Sequence, residues 1–317
     1  MSKPRKLINN TVNKIVERIT ESVTNSFEYS LAKFSELQPT IETLSDKVAS
    51  LNEELVKQSA LLDNVRDVVR AEYDDIAVLR NDLTKLRKTT EYKTVFSTKK
   101  PLISIRIATY NRAQTLIDKS IKSILAQTYQ NFEVIIVGDH CTDDTEKKIK
   151  ELNDPRIKFY NLYNRSIYPT DRKRKWQVIG ALPMNVAASL CRGDWIAPLD
   201  DDDEFTPDHL EVLLKQALST KSEMVYGVMI QKNLVEDTST RIFSTDLAEG
   251  NISLNGAMYM KLLNSIYQYD QKSWVMDEPG DWNMTRRMLE SGVNISGVDH
   301  EVGILNMIPV GHEKKDY

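Results

Sequence analysis

Apolar residues recur at alternating spacings of four and three from Leu37 to Leu86, and that period admits few structures. One seam position holds Leu37, Leu44, Leu51, Gln58, Val65, Glu72, Leu79 and Leu86. The other holds Ile41, Val48, Leu55, Leu62, Val69, Ile76 and Leu83, so only Gln58 and Glu72 are polar. A hydrophobic period of about 3.5 residues draws a narrow stripe along a helix, and a narrow stripe is buried only against another helix. The first 92 residues also contain no glycine, as a long uninterrupted helix prefers.

Upstream, Ile8, Val12, Ile15, Ile19, Val23 and Phe27 form a second amphipathic stretch. Pro39 disfavours the helical conformation at Gln38 and suits the first turn of a new helix. The expectation is a helix near 6–36, a break near Pro39 and a long helix near 39–88. Three uses fit such a segment: oligomerisation of the chain, a hairpin packed within one chain, or a first helix lying on a membrane surface. The last is disfavoured by a polar face of Asn, Thr, Glu and Ser with few lysines. After Lys88 the pattern stops. The predicted organisation is a helical coiled-coil region over 1–92, a polar linker over 93–100 and a globular domain over 101–317.

The bulk numbers exclude several classes. A net charge of −4 over 317 residues gives no global attraction to nucleic acid. Two cysteines, Cys141 and Cys191, are too few for a disulfide framework and read as reduced thiols. No apolar run follows Met1 as in a signal peptide, and no membrane span is found. The expected location is the cytoplasm, with peripheral attachment at the inner face of the membrane as the alternative.

Beyond the linker the texture alternates. Leu102–Ala108, Phe132–Val137, Arg156–Leu162 and Trp195–Leu199 read as strands. Ala113–Ala126, Thr142–Asn153, Pro183–Cys191 and Thr206–Leu218 read as helices. Such alternation predicts an α/β domain with a mostly parallel sheet and helices on both faces, whose ligands bind at the carboxyl ends of the strands.

Three constellations fall at those ends. Asp200-Asp201-Asp202-Asp203-Glu204 follows the strand around Trp195. Clustered carboxylates repel unless a cation or solvent neutralises them, and Mg²⁺ or Mn²⁺ typically takes one or two carboxylates plus substrate phosphates. A divalent metal site and a solvated acidic loop are both consistent with the cluster. Thr109-Tyr110-Asn111-Arg112 ends the first strand, offering a ring on which a base can stack and a guanidinium for phosphate, or simply a capped strand-to-helix turn. Gly138-Asp139-His140-Cys141-Thr142-Asp143 ends the second. Asp139 can accept from a base or ribose, and Thr142 or Asp143 suits a helix cap.

In order and spacing, Ala108-Thr109-Tyr110-Asn111-Arg112, Ile135-Ile136-Val137-Gly138-Asp139 and Gly193-Asp194-Trp195-Ile196-Ala197-Pro198-Leu199-Asp200-Asp201-Asp202 together resemble the family 2 glycosyltransferases of the GT-A fold, over roughly residues 100–310. The resemblance implies a metal-dependent, inverting transfer from a nucleoside diphosphate sugar, expected to be a UDP-sugar, to a saccharide or other hydroxyl acceptor in surface polysaccharide or glycoconjugate synthesis. It places Thr109, Tyr110, Asn111, Arg112, Asp139, Asn185, Asp200 and Asp201 around the donor. It makes Asp202 the direct ligand of Mn²⁺ or Mg²⁺, and a late histidine, His312, either a further ligand or a solvated surface group. Where many members carry Glu-Asp, this chain has Gly280-Asp281, so Asp281 is the expected catalytic base and Glu278 the reserve. The departure leaves a helix-capping role open for Asp281. The basic run Arg172-Lys173-Arg174-Lys175 reads as a solvated loop or a mobile cover over the diphosphate. The expected partners are donor, acceptor and further copies of the chain through the coiled coil. A sugar nucleotidyltransferase is the rival enzyme, but no glycine-rich loop follows the first strand. A non-catalytic coiled-coil scaffold with a nucleotide-binding module is the rival outside enzymes, and donor hydrolysis or UDP binding separates it.

Overall fold

The computed structural model describes residues 3–73 and 75–307. The chain divides into two compact units between Val68 and Val69. His312 lies outside the described residues.

The described residues of the first unit lie within one continuous α-helix, Lys3–Tyr73. The expected break does not occur, because Pro39 sits inside the helix. A proline there forfeits one intrahelical hydrogen bond and crowds the preceding turn, at about 3 kcal/mol. The turns on either side stay regular: Ser35 donates to the Ala32 carbonyl at 2.9 Å, and Thr43 to the Pro39 carbonyl at 2.8 Å.

A second helix, Ile76–Leu86, starts at Asp75, whose carboxylate accepts from the Val78 amide at 3.0 Å. It shares the heptad period of the stalk yet packs elsewhere. Leu83 is buried, and Leu79 and Leu86 lie against the α/β core. Arg87 then forms a two-pronged pair with the buried Glu223 at 2.7 and 2.6 Å, which also accepts from Tyr92 at 2.8 Å. The predicted linker also belongs to the core. Val95 is buried, and Phe96 meets Trp195 edge-on with ring centroids 6.0 Å apart. The predicted boundaries at 92 and 100 are therefore corrected: the globular unit begins near residue 69.

Among the described residues, that unit is built on a nine-stranded sheet. Its first half is parallel. β1 (Ile103–Thr109) lies between β2 (Phe132–Gly138) and β4 (Trp195–Pro198), and β3 (Ile157–Asn161) flanks β2. β1 and β2 are almost wholly buried, which explains their continuous rather than alternating apolar pattern. The second half is mixed. β5 (Glu204–Phe205), β6 (Met224–Asn233), β7 (Thr238–Ile242), β8 (Ala257–Met260) and β9 (Ile295–Met307) complete the order β3-β2-β1-β4-β8-β6-β9-β5, with β7 pairing off β6. β8 runs antiparallel to both β4 and β6, while β9 runs parallel to β6. The expected α/β sheet is present, and its parallel character is confined largely to the first four strands.

Gly193 sets the close approach of β4 to β1. A side chain there would meet the Leu102 carbonyl at 2.4 Å, so the strand that launches the acidic loop sits as near as backbone allows.

Candidate active site

Parallel register brings the three sequence constellations to one edge. Thr109 pairs with Gly138, and Gly138 with Asn161. Two further amides extend the ladder past the strands: Asp139 donates to Thr109 at 2.8 Å and Leu199 to Arg106 at 3.1 Å. The strand ends therefore deliver Thr109, Asp139 and Asp200 to the same edge of the sheet, where ligands of such sheets bind.

The acidic loop separates into buried and accessible carboxylates. Asp201 is buried and accepts from the Thr109 hydroxyl at 2.6 Å and from Arg112 at 3.0 Å. Burial pushes it up to about 6, helped by the charge of Asp202 and opposed by Arg112. Asp203 is buried between the Asn255 amide at 2.6 Å and the Asn306 backbone amide at 2.8 Å. Burial, then the charges of Asp200 and Asp202, raise it well above the usual carboxylate range. Asp200 accepts from the same Asn255 amide at 3.0 Å and is raised, chiefly by burial. Asp202 keeps a side chain 34% exposed and pairs with Arg112 at 2.8 Å.

Four residues expected around the donor thus have partners inside the protein. Thr109 and Asp201 form the floor beneath the loop. Arg112 clamps Asp201 and Asp202. Asn111 adopts a left-handed backbone with φ of 49° and accepts from the Thr142 amide at 2.8 Å. It pins the turn after β1 to the turn after β2, a conformation asparagine tolerates better than most residues.

Asp139 is buried and fully satisfied. It accepts from the Ser166 amide at 2.9 Å, the Ser166 hydroxyl at 2.6 Å and the Tyr168 hydroxyl at 2.6 Å. Burial and the bond to Asp139 push Tyr168 up to about 12. The Arg165 guanidinium lies 3.1 Å from the centroid of the Tyr110 ring and 3.5 Å from Asp139. The aromatic face and the acceptor predicted for a base are adjacent, joined by one arginine that the sequence reading passed over.

Asp281 stands in the first turn of the helix Gly280–Ser291 and accepts from the Trp282 amide at 2.8 Å. Burial raises its pKa, the Trp282 amide opposes that, and the negative charge of Asp200 raises it further. The two carboxylates therefore share one electrostatic neighbourhood, although 81 positions separate them in the sequence. Tyr269 lies in the same place. Its ring packs against Gly280, where an added Cβ would stand 3.0 Å away, and its hydroxyl accepts from the buried Arg106 at 3.0 Å. Asn185, predicted near the donor, instead grips the Tyr269 backbone: it donates to the carbonyl at 2.8 Å and accepts from the amide at 2.9 Å.

Glu278 is wholly buried, and its contacts make it a structural anchor. Arg286 donates to it twice at 2.8 Å, Asn283 donates at 2.8 Å, and Arg70 pairs with it as well. Burial works against its charge, but these partners together hold its pKa below 4.5. Glu278→Gln leaves two guanidiniums facing a neutral amide and should cost about 3–5 kcal/mol. A denaturant titration reads this directly. Because the folded pKa is depressed, the wild-type contribution is present above the ordinary pKa of 4.5 and lost as pH falls through the lower folded value. The wild-type advantage over Glu278→Gln should therefore shrink in acid; an equal gap at every pH would count against it.

Among the described residues, no three His, Cys, Asp or Glu side chains converge to hold an ion by themselves. A donor set of one or two carboxylates completed by phosphates is the one Mg²⁺ and Mn²⁺ favour. Asp202, with its partial exposure, and Asp200 beside it fit that description better than Asp201 and Asp203, which are buried.

A family model described as glycosyl transferase family 2 matches residues 104–291. The GalNAc(5)-diNAcBac-PP-undecaprenol beta-1,3-glucosyltransferase of Campylobacter jejuni is 28% identical over 177 residues, covering 55% of this chain and 52% of that protein. The UDP-Glc:alpha-D-GlcNAc-diphosphoundecaprenol beta-1,3-glucosyltransferase of Escherichia coli is 33% identical over 127 residues, covering 40% of this chain and 45% of that one. The chain thus spans about half the length of these relatives. Among solved structures, S. aureus TarS in complex with UDP-GlcNAc superposes with a TM-score of 0.53 at 18% identity, covering 68% of this chain and 61% of that one, a likeness of fold.

Proposed function

This chain belongs to glycosyl transferase family 2, and from that membership we propose that it moves a sugar from a nucleoside diphosphate sugar onto a hydroxyl acceptor in polysaccharide or glycoconjugate synthesis. The observation that carries the reading is the gathering of the strand-end motifs at one edge of the sheet, where Thr109 and Arg112 bond the acidic loop. Asp200 comes from the loop after β4, and Asp281 from a helix start downstream.

The donor is a UDP-sugar in this reading, supported by the UDP-Glc named for the Escherichia coli relative. Tyr110 offers a face for the base, and Asp139 accepts from its edge once Arg165 and Tyr168 give way. Asp202 and Asp200 are the residues that would hold a divalent cation beside the diphosphate. That cation, when bound, neutralises charge on the leaving group. The acceptor hydroxyl sits at Asp281, whose carboxylate takes its proton as the acceptor oxygen bonds the anomeric carbon. The bond from that carbon to the diphosphate oxygen breaks on the opposite face, so one displacement inverts the centre and releases the nucleoside diphosphate. Tyr269, fixed by Asn185 and Arg106, holds the start of the Asp281 helix in place.

No helix among the described residues is long and apolar enough to cross a membrane. Both relatives named above carry a lipid diphosphate in their names. The same reading therefore places this chain in the cytoplasm or at the inner membrane face, with a glycan or lipid-linked glycan as acceptor and further copies of itself as partner. A panel of UDP-, GDP- and dTDP-sugars, assayed for thermal shift and donor hydrolysis with and without Mn²⁺, tests the proposal. A Mn²⁺-dependent response confined to one nucleotide is expected. No response to any donor would overturn it.

A further inference from the structure

Among the described residues the stalk carries an apolar seam that stays exposed. From Leu37 to Val65 every apolar seam residue is exposed, between 52% for Val65 and 69% for Leu51. We infer that this seam is the contact of a parallel, in-register, two-stranded coiled coil between two copies of this chain. The inference stands apart from the glycosyl-transfer reading, because it uses no residue of the catalytic unit.

The side chains select the strand number. Heptad geometry places Ile41, Val48, Leu55 and Leu62 at one core position and Leu37, Leu44, Leu51, Gln58 and Val65 at the other. Branched residues at the first with leucine at the second pack best in parallel dimers, and Ile41 and Val48 facing Leu44 and Leu51 follow that rule.

Gln58 selects orientation and register. In a parallel, unshifted pair it meets its own counterpart, and two amides satisfy each other. An antiparallel or shifted pair sets it against leucine or valine and strands a buried amide.

Charge agrees with a second copy as occupant. Glu42, Asp46, Glu53, Asp63 and Asp67 all point to the outer positions of the heptad. At the flanking positions a parallel pair brings Lys47 opposite Asn52, Glu54 opposite Ser59, and Leu61 opposite the aliphatic stem of Arg66. No like charges face each other there, although the stalk is acidic overall.

Cysteine scanning of the full chain tests this, since Cys141 and Cys191 are both buried and give a quiet background. Leu51→Cys and Leu44→Cys, each mildly oxidised, should migrate as disulfide-linked dimers on a non-reducing gel. Unoxidised wild type should sediment at twice the chain mass. Leu51→Lys combined with Leu55→Lys should sediment as the monomer with an unchanged thermal transition of the catalytic unit. A wild-type monomer, a trimer mass, or crosslinking only when Leu44→Cys is mixed with a cysteine at Leu62 would each overturn the inference. The monomer would assign the seam to a different protein, the trimer would refute the strand number, and the mixed crosslink would refute the parallel register.

Discussion

Asp281→Asn should cut glycosyl transfer by about 10²–10⁴-fold, the usual share of a general base. The substitution keeps the shape of the side chain and an oxygen to accept from the Trp282 amide, so the helix start survives. Nucleotide binding at the opposite side of the crevice should be unchanged by calorimetry. That combination separates a lost base from a lost fold. The pH profile gives a second reading. Burial and the charge of Asp200 hold Asp281 above the ordinary carboxylate value. A base works deprotonated, so kcat in the wild type should fall as pH drops through that raised pKa, and this limb should vanish in the variant's residual rate. Wild-type turnover in Asp281→Asn would remove the residue from the mechanism and return it to helix capping.

Asp202→Ala should abolish the stimulation of turnover by Mn²⁺ or Mg²⁺. Charge neutralisation by a metal contributes several kcal/mol at the transition state, on the order of 10²–10³-fold in rate. The fold should tolerate the change, since Asp202 is partly exposed and Arg112 retains Asp201 as a partner. Asp203→Ala makes the contrast. It opens the buried contacts to Asn255 and to the Asn306 amide, so it should lower the thermal transition as well as the rate. If Asp202→Ala turned over with the same metal dependence as wild type, the ion would have to be held elsewhere.

The strand-end motifs were legible because the β1 and β2 cores are continuous apolar runs, and such runs announce buried parallel strands. The polar residues that follow them then had only one place to go. The roles of those residues were less legible. Thr109, Asn111 and Asn185 are polar residues near a crevice, and sequence does not say whether a hydroxyl or amide turns outward to a ligand or inward to a neighbouring loop. Here they turn inward, to Asp201, to Thr142 and to Tyr269. Asn255, Arg165 and Tyr269 were invisible for a related reason. They reach the site from irregular segments, where no period sets which side chain faces which way. The stalk boundary failed differently. The heptad spacing of Leu79, Leu83 and Leu86 is the same whether the stripe meets a helix or, as here, the α/β core, so periodicity reported burial without naming the partner. Local preference at Pro39 favours a break, and a long helix absorbs a cost that would end a short one.

Asn255 gives one amide group to both Asp200 and Asp203, and Asn306 holds Asp203, Glu204 and the Asp202 carbonyl from the end of β9. The acidic turn is therefore not a transplantable cassette. Anyone seeking to change donor preference by grafting this turn from a related enzyme must carry two asparagines along, one 52 and the other 103 positions downstream of Asp203. Without them the graft would arrive with its carboxylates unsupported and pointing at one another.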